Sequence, residues 1–213
     1  MKPALSQLWI KICGVTRNRD ALLAAELGAD AIGLVFYANS PRALVANQIS
    51  NVVANVSGSV SVIGLFVNPT REEVEVVLDT GLVDVLQFHG AEDEEFCNSF
   101  DRPYLKVFQV KDVQSLDSNL SKYRTATYIL LDSYSDKKIG GTGQKFDWSI
   151  GENIVQNLGQ KVVVAGGLKP ENIKDAVIKM NPFGVDVSSG VESSPGLKDA
   201  EKLRKFIEGA RSV

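Results

Sequence analysis

Two side chains able to exchange protons close short apolar runs far apart in the chain. Cys13 ends Trp9-Ile10-Lys11-Ile12-Cys13, and Asp132 ends Thr127-Tyr128-Ile129-Leu130-Leu131-Asp132. A thiolate with a protonated carboxylic acid is a general base and general acid pair, the set needed to move a proton between carbons while a sugar ring opens or closes. Taken alone, Cys13 reads first as a small buried hydrophobe, since free cysteine is among the most buried residue types. Asp132 alone could also cap the following segment. A thiol of ordinary pKa is only ~3% ionised at pH 7, so a base role asks for a nearby cation. Strand alternation puts Trp9, Lys11 and Cys13 on one face, which makes Lys11 the candidate to ionise the thiol.

A second group of residues suits an anion. Gly166-Gly167 and Ser188-Ser189-Gly190 each follow an apolar run, and backbone N–H groups at such turns bind phosphate without a basic side chain. A single Gly-Gly is equally a plain tight turn; two such turns on successive strands read as a phosphate cradle. Arg42, in Tyr37-Ala38-Asn39-Ser40-Pro41-Arg42, presents a fork of donors that could grip a carboxylate bidentately, or it is a solvated surface arginine. Gln87, His89 and Asp186 also fall at strand ends, His89 either lining a pocket or capping the next helix. Lys106 keeps a Schiff-base mechanism open.

The elements that must hold these residues follow one another regularly. Strands are predicted at 9–13, 31–36, 60–67, 83–89, 104–110, 127–132, 161–165 and 184–187. Helical patterns lie between them: 17–27 capped by Thr16, a weaker one over 46–56, one opened by the Thr70/Glu73 capping box and ending near Gly81, and one led by Asp93-Glu94-Glu95. A polar helix over 112–123, one starting near Asp147, one opened by Pro170 and one from about Leu197 to Glu208 complete the set. The longest connection, between Asp132 and Asp147, carries Gly140, Gly141 and Gly143 and is a candidate lid. Eight strand-helix units in 213 residues predict an α/β protein, a single (β/α)8 TIM barrel domain over residues 1–213. A doubly wound open sheet is the competing arrangement. In a barrel the working face lies at the C-terminal strand ends, which selects Cys13, Gln87, His89, Asp132, Gly166, Gly167, Asp186, Ser188, Ser189 and Gly190, with Arg42 from the loop after the second strand.

Composition narrows the function classes. The 23 basic and 26 acidic residues are interspersed, which gives no electrostatic footprint for nucleic acid. No run approaches the length of a membrane span or a signal peptide, so no membrane partner and a cytoplasmic location are expected. Cys13 and Cys97 are far apart and read as free thiols, and a single histidine gives no support to a metal site built on several imidazoles.

The ordered set Lys11-Ile12-Cys13-Gly14-Val15-Thr16, Gly28-Ala29-Asp30-Ala31, Ser40-Pro41-Arg42, Gly64-Leu65-Phe66-Val67-Asn68, Leu86-Gln87-Phe88-His89-Gly90 and Leu130-Leu131-Asp132 resembles the phosphoribosylanthranilate isomerase family. The likeness continues through Gly140-Gly141-Thr142-Gly143, Phe146-Asp147-Trp148, Ala165-Gly166-Gly167-Leu168 and Asp186-Val187-Ser188-Ser189-Gly190-Val191-Glu192, so it covers nearly the whole chain. The resemblance implies a (β/α)8 enzyme of tryptophan biosynthesis that performs an Amadori rearrangement on a phosphorylated small-molecule substrate. It implies Asp132 as general acid on the ribose ring oxygen and Cys13 as base at C2′. It further implies Arg42 at the anthranilate carboxylate, the turns at Gly166-Gly167 and Ser188-Ser189-Gly190 at the phosphate, and no metal or organic cofactor. The rivals are another phosphosugar barrel enzyme, such as a Lys106-dependent aldolase, and a catalytically inert barrel that senses a phosphorylated metabolite.

Overall fold

Eight strands pair in parallel, in sequence order, and the last closes on the first. They are β1 (Trp9–Cys13), β2 (Ala31–Val35), β3 (Ser61–Phe66), β4 (Val85–Phe88), β5 (Tyr104–Val110), β6 (Tyr128–Ser133), β7 (Val162–Val164) and β8 (Gly184–Val187). The open-sheet alternative is thereby excluded, since β1 pairs with both β2 and β8. The structure, a computed structural model, describes residues 8–56, 58, 60–110, 120, 122–133, 152, 154–156 and 158–213. The glycine-bearing connection after Asp132, the helix start at Asp147 and most of the 112–123 helix lie outside the described residues.

The strands are buried on both sides, so most read as continuous apolar runs rather than alternating ones. Ile10 and Ile12 join the large outer core between sheet and helices, with Ile32, Leu34, Phe66, Phe88, Leu131 and Val164. The alternate residues fill the barrel in layers. Trp9 meets Ala31, Ile63 and Val85 near the N-terminal ends of the strands and stacks on Tyr128 at 5.3 Å. Leu105, Val107, Leu130, Val163 and Ala165 fill the middle, and Cys13, Val35 and Leu65 form the upper layer. Burying each large apolar side chain contributes about 1.5–3 kcal/mol, and this packing fills the lower and middle layers of the barrel.

Among the described residues, helices with defined bounds are α1 (Asn18–Glu26), α2 (Ile49–Val52), α3 (Arg71–Leu78), α4 (Glu94–Asn98), α5 (Ile173–Met180) and α6 (Ala200–Arg211). The capping box predicted for α3 is present in both directions: Glu73 N donates to Thr70 Oγ1 at 3.2 Å and Thr70 N to Glu73 Oε2 at 2.8 Å. Asp93 caps α4 through Phe96 N. Thr16 does not cap α1; its hydroxyl donates to the Gly196 carbonyl at 2.6 Å, and Arg17 stands at the cap position without a side-chain bond. The weak pattern over 46–56 yields a 3-10 turn at Ala46–Gln48 followed by the single turn of α2. The last helix begins at Ala200, capped by Asp199, because Leu197 belongs to a small antiparallel hairpin of β9 (Glu192–Ser194) and β10 (Leu197–Lys198). No helix among the described residues is long and apolar enough to cross a membrane.

Candidate active site

A cavity of about 460 Å³ opens at the C-terminal strand ends. Its lining includes Cys13, Arg42, Gln87, His89, Asp132, Gly166, Gly167, Asp186, Ser188, Ser189 and Gly190, which brings together the residues expected at the strand ends and in the loop after β2. Strand parity is the reason. Cys13, Gln87, Asp132 and Asp186 all occupy inward positions, and their strand ends converge as the barrel closes.

Beneath Cys13 lies an ion pair. Lys11 Nζ donates to Asp186 Oδ1 at 2.9 Å, and the lysine side chain is fully buried. The two residues are register partners across the β1–β8 seam. Gly33, the β2 partner of Cys13, makes room for this stack: a Cβ there would stand 2.8 Å from Cys13 Sγ and 3.1 Å from Lys11 Cε.

Lys11 pulls the Cys13 thiol toward ionisation, as expected from the shared face, but its pull does not prevail. Burial pushes the Cys13 thiol up; Lys11 pulls it down and Asp186 pushes it up, with a net rise above 9.0. Burial lowers Lys11, but Asp186 and Cys13 together hold it above its ordinary 10.5. Lys11 therefore stays an ammonium, shared with Asp186, and the resting cysteine is the thiol.

Across the cavity His89 Nε2 lies 3.5 Å from Asp132 Oδ2 without making a hydrogen bond to it. His89 Nε2 and Gln87 Oε1 are both buried and unpartnered. A buried polar atom without a partner costs about 1–3 kcal/mol, so a site that keeps two of them beside a cavity is built to meet polar groups of a ligand.

The two candidate phosphate turns touch. A Cβ on Gly190 would fall 1.9 Å from the Leu168 carbonyl oxygen, so only glycine lets the turn after β8 approach the turn after β7 this closely. Gly166 and Gly167 both have left-handed φ, 85° and 66°, the conformation in which glycine is unstrained. Ser189-Gly190-Val191 forms a 3-10 turn at the same rim.

Lys106 is not in this cavity. Its parity is opposite to that of Leu105 and Val107, so it faces the helix layer and bonds Glu92 Oε2 at 2.7 Å and the Gly90 carbonyl at 2.9 Å. That removes the Schiff-base reading. Among the described residues no cluster of His, Cys, Asp and Glu could hold a metal ion.

A family model described as N-(5'phosphoribosyl)anthranilate (PRA) isomerase matches residues 10–209. The chain belongs to this family. It is 46% identical over 207 residues to the N-(5'-phosphoribosyl)anthranilate isomerase of Pseudomonas fluorescens, covering 97% of this chain and 100% of the relative. The crystal structure of the phosphoribosyl anthranilate isomerase of Thermotoga maritima superposes with a TM-score of 0.89 at 34% identity, over 97% of this chain and 100% of that one. A phosphoribosyl anthranilate isomerase in complex with reduced 1-(o-carboxyphenylamino)-1-deoxyribulose 5-phosphate superposes with a TM-score of 0.84 at 33% identity, over the same shares.

Sequence reasoning missed two residues behind the cavity wall, Glu192 and Lys198. Glu192 takes both Nε and Nη2 of Arg42, so one edge of the predicted carboxylate fork is already occupied by the protein itself. An arginine on a loop, with no nearby acid in sequence, was the available signal that a distant carboxylate must approach it.

Proposed function

We propose that this chain converts N-(5'-phosphoribosyl)anthranilate to 1-(2-carboxyphenylamino)-1-deoxyribulose 5-phosphate, an intramolecular oxidation and reduction within tryptophan biosynthesis. The observation that carries this reading is the joint presence of Cys13 and Asp132 in one cavity whose rim is made by the two touching glycine and serine turns. A sensor needs the rim but has no use for the acid and base.

In this reading Asp132 protonates the ribose ring oxygen, the C1′–O bond breaks, and the nitrogen lone pair forms a C1′=N iminium. Cys13, as thiolate, takes the proton from C2′. The C–H electron pair becomes C1′=C2′, and the iminium π pair returns to nitrogen. The resulting enol-amine tautomerises, losing its enol proton and gaining one at C1′, which leaves a ketone at C2′. C2′ is oxidised and C1′ reduced, so no external electron carrier is needed.

The positive iminium forms beside a thiol whose own surroundings disfavour ionisation. An opposite charge at that distance stabilises the thiolate, and it adds to the pull of Lys11. Arg42 meets the anthranilate carboxylate, and Gly166, Gly167, Ser188, Ser189 and Gly190 receive the phosphate. His89 and Asp186 bound the sugar between them. The unpartnered Nε2 of His89 supports a hydrogen bond to the substrate. The reading treats residues 1–213 as one barrel domain working in the cytoplasm.

The test is direct. The purified chain, given N-(5'-phosphoribosyl)anthranilate, forms the ketose, and its gene restores growth without tryptophan to a cell lacking the isomerase. A folded protein that does neither, yet binds the reduced product, is a sensor and overturns the reading.

A further inference from the structure

Arg42 does not enter the cavity as a free cation. Its Nε donates to Glu192 Oε1 at 2.9 Å and its Nη2 to Oε2 at 2.6 Å, with both side chains largely buried. Glu192 Oε1 also accepts from Lys198 Nζ at 2.8 Å and from Gly196 N at 3.3 Å. Lys198 is fully buried, and its remaining hydrogen bonds go to the carbonyls of Cys13 at 2.5 Å and Ser188 at 3.2 Å. The stem of Arg42 lies against Gly14, where a Cβ would stand 2.4 Å from Arg42 Cδ. Both ends of the arginine are thus fixed, the stem by bare backbone and the head by a carboxylate.

A guanidinium has two edges that can pair with a planar anion, Nε with Nη2 and Nη1 with Nη2. Glu192 takes the first. Charge follows the same logic. One guanidinium between two carboxylates would leave a net negative cluster, which a buried wall tolerates poorly. Lys198 supplies the second cation, so the set Arg42, Glu192 and Lys198 carries one net positive charge and is neutralised by one further carboxylate.

We propose that Glu192 is a positioning residue for substrate selection. By holding the Nε–Nη2 edge it turns the Nη1–Nη2 edge toward the cavity, and so makes the enzyme prefer an aryl amine that carries a carboxylate over one that lacks it. Lys198 is the counter-charge that keeps this arrangement balanced, and it ties the arginine to the backbone of Cys13 and of the turn at Ser188. The inference rests on the reading of Arg42 given above. Preorganisation of this kind removes the cost of ordering a long side chain when the ligand arrives.

The experiment compares two ligands by calorimetry: reduced 1-(o-carboxyphenylamino)-1-deoxyribulose 5-phosphate and its phenylamino counterpart without the carboxylate. The parent chain is expected to prefer the carboxylated ligand by about 10- to 100-fold, the range for charge-assisted hydrogen bonds. Arg42→Met removes the preference. Glu192→Gln removes most of it while leaving the affinity of the phenylamino ligand near the parent value. The double change Glu192→Gln with Lys198→Met relieves the unpaired ammonium, covers the case in which the single variant does not fold, and shows the same loss. Glu192→Asp, which keeps the charge, restores part of the preference. Because the preference is a ratio of dissociation constants, a partly inactive preparation does not alter it.

If Arg42→Met loses the preference and both Glu192→Gln forms keep it, the inference is overturned and the reading of Arg42 stands. Equal weakening of both ligands by Glu192→Gln means a structural role alone and also overturns it. Retention of the preference in Arg42→Met overturns the reading of Arg42 itself, and the inference falls with it.

Discussion

Two lysines of the barrel strands, Lys11 and Lys106, are each buried against a carboxylate, on opposite sides of the same sheet. Lys11 and Asp186, 2.9 Å apart, sit inside the barrel under Cys13. Lys106 and Glu92, 2.7 Å apart, sit outside it, between β5 and the loop that follows β4. The outer pair binds backbone: Glu92 accepts from the amides of Asn68 and Gly90, and Lys106 donates to the Gly90 carbonyl. The inner pair sets the electrostatics of a thiol. The chemistry of the two pairs is the same, and one residue of strand register decides which is scaffold and which is site. For a closed barrel, the parity of a buried charge says more about its purpose than its identity does.

The largest expected effect separates inside from outside through catalysis. Asp132→Asn, on the inner face, is expected to lower kcat by roughly 10²–10⁴ while the reduced product still binds. Near-parental turnover would remove Asp132 from the acid role. The outer pair should show the reverse pattern. Lys106→Met leaves Glu92 buried without its cation and is expected to cost about 3–5 kcal/mol in denaturant unfolding. Turnover of its folded fraction stays close to the parent, and a large loss of kcat at full folding would break the contrast.

A smaller effect is spectroscopic. Thiolate absorbance should place the Cys13 titration above 9.0 in the parent and higher still in Lys11→Met, since the largest influence, burial, remains and the stronger of the two lowering cations is gone, with only Lys198 left. An unchanged titration would deny Lys11 any part in ionising the thiol.

The smallest effect is on stability against pH. Cys13 is raised above its unfolded value of 9.0, so its contribution is fully present below pH 9 and is lost as pH rises through the folded value. Buried Cys97, pushed up to about 12, behaves the same way over the same onset. Each thiol adds a slope of about −1.4 kcal/mol per pH unit in that window. Cys13→Ala should flatten the slope from about pH 9 upward, before Tyr104, Tyr123 and Lys11 add theirs above pH 10, and an unaltered slope would contradict the raised Cys13 value.

Much of this was legible in the residues. Period-2 reading of β1 placed Lys11 and Cys13 on one face. Applied to β5 it separates Lys106 from Leu105 and Val107 but does not say which face is inward, so the Schiff-base reading stayed open until the closed barrel turned Lys106 outward. The apolar runs ending at Cys13 and Asp132 marked the working end because a polar group there has a cavity to face. Three features were not legible, for physical reasons. The Glu192–Lys198 hairpin is too short to show a strand pattern, so Leu197 read as the start of a helix. The Arg42–Glu192 bond joins residues 150 positions apart. The net rise of the thiol depends on the balance of burial, Lys11 and Asp186, which sequence spacing cannot weigh.

The chemistry proposed for this barrel turns on the inward thiol of β1 taking the proton from C2′. Single-turnover conversion of N-(5'-phosphoribosyl)anthranilate by Cys13→Ala, with binding of the reduced product measured on the same preparation, puts that step to the test. The chemical step is expected to slow by roughly 10²–10⁴ while the affinity for the reduced product stays near the parent value. Conversion at the parent rate would show that another group removes the proton and would contradict the role given to Cys13.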